Sequence, residues 1–143
     1  MANTINIQTG NVTAHPAMGT RLVILMYDGA IGALNKALAA IEEGDLEGRC
    51  KAVNMALDIL TQLCMSLDHD QGGQVAGNLD KLYRFMIARL ARTNLLNDPE
   101  PAREVLQLLD PLYQAWRTLD QQIAAGYARP DSIPAKPEIR AVG

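Results

Sequence analysis

The sequence predicts an all-α protein, an antiparallel up-down four-helix bundle, and three observations carry that prediction. Apolar residues recur at steps of three and four through four windows of the chain, as a helix buried along one side requires. Apolar residues make up 48% of the chain but aromatics only 4%, so Leu, Ala, Ile, Val and Met must build the core, a mixture that suits helices better than a β-sandwich. Helix-stopping and helix-starting residues stand side by side between the windows, leaving only short links. At 143 residues the chain has the size of one domain.

Residues 1–15 are polar and short-sided, with Ile5, Ile7 and Val12 the only apolar residues of any size after Met1, and read as a flexible arm. The first helix is expected over 16–43: His15 can cap, Pro16 suits the first helical position, and Gly44 stops the run. Its core seam steps through Ile24, Tyr27, Ile31, Leu34, Leu38 and Ile41. Asp45 caps a second helix that runs to about Leu67, with a seam through Leu46, Cys50, Val53, Leu57, Leu60 and Cys64. The polar, glycine-bearing stretch 68–73 breaks it.

A third helix, about 73–96, uses Val75, Leu79, Leu82 and Met86. Asn97, Asp98 and Pro99 end it and start a fourth, which carries Val105, Leu109, Leu112, Trp116, Leu119 and Ile123 and stops before Gly126. Short links make neighbours antiparallel. Pro111 lies inside the fourth helix, where it removes a hydrogen bond to the Gln107 carbonyl at a cost of roughly 3 kcal/mol. A kink is expected there, with Asp110 able to cap a fifth short helical piece. The bundle is thus placed at 16–126, followed by a Pro-rich tail, 127–143, expected to be disordered.

The first two helices carry more apolar surface than a four-helix core needs. Beside its seam the first has Leu22, Met26, Ala30, Ala33, Ala37 and Ala40, and the second has Ala52, Met55, Ala56, Ile59 and Leu63. Tyr83, Ile87 and Leu90 extend the surplus onto the third. Small residues flanked by Leu and Met suit a groove for a foreign amphipathic helix, with the arm, through Ile5 and Ile7, as a removable lid. The same stripe also suits tight packing between neighbouring helices of one chain, and both readings stand at this point.

Charge and motif content exclude several function classes. The net charge of −3 gives no general pull toward nucleic acid, and no run of eighteen apolar residues or signal-peptide pattern points to membrane insertion or secretion, so a cytoplasmic setting is expected. Cys50 and Cys64, fourteen residues apart on one helix, lie about 21 Å from each other and cannot bridge. No Glu-x-x-His motif, zinc-ligand spacing, nucleophile motif or phosphate-cradling glycine loop occurs, so neither an enzyme nor a cofactor is expected. Glu42, Glu43, Asp45 and Glu47 read as a solvated turn. Lys81, Arg84, Arg89 and Arg92 give the third helix a basic side, which serves solubility or recognises an acidic partner.

Several stretches together resemble the flagellin-specific secretion chaperone family (FliS): LMYDGAIGAL at Leu25 to Leu34, IEEGDLEGR at Ile41 to Arg49, and GGQVAGNLDKLYRFMIARLARTNLLND at Gly72 to Asp98. VTAHP before the first helix and Trp116 in the last are similar to that family as well. The resemblance implies a cytoplasmic bundle that holds the disordered C-terminal segment of flagellin, prevents premature polymerisation and passes its client to the flagellar export gate of type III secretion. Family arms commonly carry tyrosines; this one has none before Tyr27, so the lid role falls to Ile5 and Ile7. The alternative is a homo-oligomeric structural bundle, for instance a homodimer, whose copies cover each other's second stripe without any client.

Overall fold

The computed structural model describes residues 16–128 and residue 134, with side-chain surroundings from residue 19 onward. Four helices follow in order, α1 (Pro16–Glu43), α2 (Leu46–Met65), α3 (His69–Leu96) and α4 (Glu100–Ala124), with no strand among the described residues. Local chemistry sets each boundary. Gly44, at φ +72°, ends α1, and the Asp45 carboxylate then accepts the Gly48 amide at 2.9 Å to start α2. Asp68 Oδ1 accepts the Asp70 and Gln71 amides and so starts α3.

Gly73 leaves helical geometry at φ +51°, ψ −125°, so the opening turn of α3 is offset from the rest. Asn97, left-handed at φ +54°, closes α3, and Asp98 Oδ1 takes the Glu100 amide at the head of α4. Gly126, at φ +82°, closes α4. Of the tail, Pro134 is described: its carbonyl accepts the Asp68 amide at 3.1 Å, which lays that residue against the α2–α3 link.

Each helix packs on the next and α4 closes the ring on α1, so α1 and α3 occupy opposite corners. Paired contacts run in opposite directions along neighbours. Arg49, Asn54 and Cys64 of α2 meet Asn97, Asn94 and Asp80 of α3, while Thr20 and Asp28 of α1 meet Asp120 and Tyr113 of α4. The bundle is therefore antiparallel. Its core holds Val23, Tyr27, Leu34, Val53, Leu60, Met86, Val105, Leu109 and Trp116, with Leu57 and Leu82 packed partly buried against it.

Tyr27 and Tyr83 reach across the centre from opposite corners, and their hydroxyls share a 2.6 Å hydrogen bond. Burial pushes both phenols above their ordinary range. By length and composition, Gly19–Glu43 is apolar enough to cross a membrane; in the bundle, its Val23, Tyr27, Ala30 and Leu34 are core residues.

The predicted fifth piece does not form: α4 runs unbroken through Pro111. Pro111 and Gln107 both lie on the exposed side, so the hydrogen bond that the proline removes is one at the solvent-facing surface and not in the core. Arg49 is only 8% exposed, unusual for an arginine. Its guanidinium donates to Asn97 Oδ1 and, at 3.3 Å, to Cys50 Sγ, while its Nε has no partner. It has no carboxylate partner among the described residues. The carbonyl end of α3, at Asn97, supplies the negative potential that its charge needs.

Candidate functional site

The two stripes of α1 and α2 meet each other. Ala30, Ala33, Ala37 and Ala40 of α1 are buried together with Ala52, Ala56 and Leu63 of α2, and this is the most extensive of the four helix seams. Most of the expected surplus is therefore interior, a correction with a simple cause. Alanine brings two helix backbones close together, and the nearest available helix is the next one in the same chain. Gly29 shows how close: a methyl group there would stand 3.1 Å from Ile59 Cδ1.

Tyr83 and Leu90 are likewise core residues, Tyr83 through its bond to Tyr27. Ala30, Ala33, Ala52, Ala56, Leu63, Tyr83 and Leu90 thus have little or no free surface to offer in this packing. Ile5 and Ile7 lie outside the described residues.

What remains outward is a narrower rim. Met55 is 55% exposed, and Leu22, Met26, Ile59 and Ile87 are half-buried. Leu22, Met26, Met55 and Ile59 flank the α1–α2 seam, whereas Ile87 stands apart on α3. Leu25, 63% exposed, adds apolar surface that the stripe pattern misses because it falls on neither seam. It lines a shallow groove of about 370 Å³ between α1 and α4 with Arg21, Ile24, Arg117, Asp120 and Gln121.

On the α1–α4 side, two side-chain hydrogen bonds fasten the helices to each other. Thr20 Oγ1 donates to Asp120 at 2.5 Å, and the Tyr113 hydroxyl donates to Asp28 at 2.6 Å. Among the described residues no group of three His, Cys, Asp or Glu is placed to hold a metal.

The Cys64 thiol donates to Asp80 Oδ1 at 3.1 Å. Burial first, and then the Asp80 carboxylate, push that thiol up to about 11, while the same hydrogen bond holds Asp80 below its usual range. Because the folded thiol ionises later than its ordinary 9.0, its contribution to stability is complete below pH 9 and is lost as pH climbs through about 11. Only the thiolate alkylates, so Cys64 should react with iodoacetamide slowly at pH 8, and Asp80→Asn should speed that reaction severalfold. Peptide mapping of the alkylated protein checks both rates.

The class so defined is an all-α, antiparallel four-helix bundle with an apolar rim along one outer seam. The chain belongs to the FliS family: the family model described as flagellar protein FliS matches residues 1–123. It is 34% identical over 116 residues to the flagellar secretion chaperone FliS of Salmonella typhimurium, spanning 80% of this chain and 84% of that one. It is 36% identical over 96 residues to the flagellar secretion chaperone FliSB of Pseudomonas aeruginosa, covering 67% and 76% of the two chains. The Vibrio cholerae FliS matches at 32% over 96 residues, 67% of this chain and 71% of its own. The family is one of export chaperones acting on a flagellar client, not one of enzymes.

Proposed function

We propose that this chain is a cytoplasmic chaperone that holds the disordered C-terminal segment of flagellin, prevents its premature polymerisation and hands it to the flagellar export gate. The observation that carries this reading is the apolar rim of Leu22, Met26, Met55 and Ile59, left outward after the bundle has packed its core. An amphipathic client segment gains helix as it buries its own apolar face there, so burial offsets the entropy lost on ordering. Met side chains adapt to client surfaces of imperfect fit. Holding by burial consumes no nucleotide, and release needs only a competing surface. The half-buried rim residues give shallow contacts, which suits a client that must later leave.

Light scattering on mixtures with the host's flagellin tests the reading. A one-to-one complex is the expected result. A tight dimer of this chain that ignores flagellin would overturn it in favour of the homo-oligomeric alternative.

A further inference from the structure

We propose that the outer face of α3 is a second docking surface, taking an acidic amphipathic helix of a partner protein. Lys81, Phe85, Ala88, Arg92 and Leu95 follow steps of four and three, the spacing of a coiled-coil seam, and all five are exposed. Phe85, the one phenylalanine of the chain, is 46% exposed and Leu95 is 80% exposed. This seam is not the one that builds the core, which runs through Leu79, Tyr83, Met86 and Leu90.

Charge identifies the occupant. Arg84 is held by Asp80 at 3.0 Å and Arg89 by Glu104 at 2.6 Å, so two of the four α3 cations serve the bundle itself. Lys81 and Arg92 have no ion pair among the described residues and bracket Phe85 on the exposed seam. The stripe carries no acid. The two cations are eleven residue steps apart, about 16 Å along the axis at 1.5 Å per residue.

The complement is a helix of about three turns with an apolar seam and carboxylates near both of its ends. A second copy of α3 does not fit, because it would set Lys81 and Arg92 against their own kind. α3 stands at the corner of the ring opposite α1, so this face is open when the α1–α2 rim is occupied, and it does not depend on what that rim holds.

The test uses the full chain and a fluorescein-labelled synthetic helix of about 18 residues, long enough for some helicity, with Leu at steps of four and three and Glu opposite the two cations. Fluorescence polarisation should show binding that weakens with salt. Affinity should fall about tenfold or more in the Lys81→Glu/Arg92→Glu double variant, and comparably in Phe85→Ser. A peptide with Lys in place of Glu should show the opposite preference, which keeps the test valid if one variant folds poorly. Binding of a flagellin C-terminal fragment should be the same in the double variant and the parent.

Equal affinity of parent and double variant for the acidic peptide would overturn the proposal. So would loss of the flagellin fragment in the double variant, which would merge this face with the client site. Binding to vesicles rich in phosphatidylserine, without binding of the peptide, would overturn it in favour of a membrane surface.

Discussion

Ala33→Glu should unfold the bundle or leave it barely stable. Ala33 is 3% exposed in the seam between α1 and α2, where a glutamate would be both too large and unpaired. Overpacking costs about 1 to 3 kcal/mol and an unpaired buried charge several more, against a total stability of about 5 to 15 kcal/mol for a domain of this size. Ala39→Glu on the exposed side of the same helix should change stability by no more than about 0.5 kcal/mol. Thermal melting followed by circular dichroism separates the two. A melting point for Ala33→Glu equal to that of Ala39→Glu would put Ala33 outside the core.

The second large effect falls on binding. Met55→Asp should leave melting almost unchanged, because the side chain is 55% exposed, yet weaken flagellin binding about tenfold or more, roughly 1.4 kcal/mol. The loss comes from placing a carboxylate where a client would otherwise shed water from apolar surface. Ile59→Asp should weaken binding too, but with a lower melting point, since Ile59 also packs at Gly29. Titration of each variant with flagellin, beside its melting curve, distinguishes lost surface from lost fold. Parent-like affinity in Met55→Asp would take Met55 out of the client surface.

Most helix boundaries were legible in the sequence because their causes are local; the exception is the start of α3, which the Asp68 cap sets at His69, inside the stretch read as a link. Gly44, Asp45, Asn97, Asp98 and Gly126 each act within a turn of where they stand, and each does in the structure what its chemistry suggests. Periodicity was legible as well, but it reports that a face is apolar without reporting what covers it. Ala30, Ala33, Ala52 and Ala56 read equally well as groove and as seam; only the approach of α2 to α1 decides between them.

Pro111 leaves α4 unbroken, and Arg49 is buried without any local signal for it. The cost of a proline depends on whether its orphaned carbonyl meets water, and the fate of an arginine depends on which helix end lies beside it. Both are facts of tertiary placement. Of the candidate surface, Leu22, Met26, Met55 and Ile59 were identifiable from sequence, whereas Leu25 and Phe85 were not, since neither belongs to a stripe that the core pattern brings out.

Calorimetric titration of the full chain with a peptide of the host flagellin's C-terminal segment decides whether the α1–α2 rim holds a client. One-to-one binding with a negative heat-capacity change, the mark of apolar burial, is expected, with a weaker isotherm for Met55→Asp. No binding heat at any of several temperatures, from protein that melts as a folded bundle, would contradict a client-holding rim.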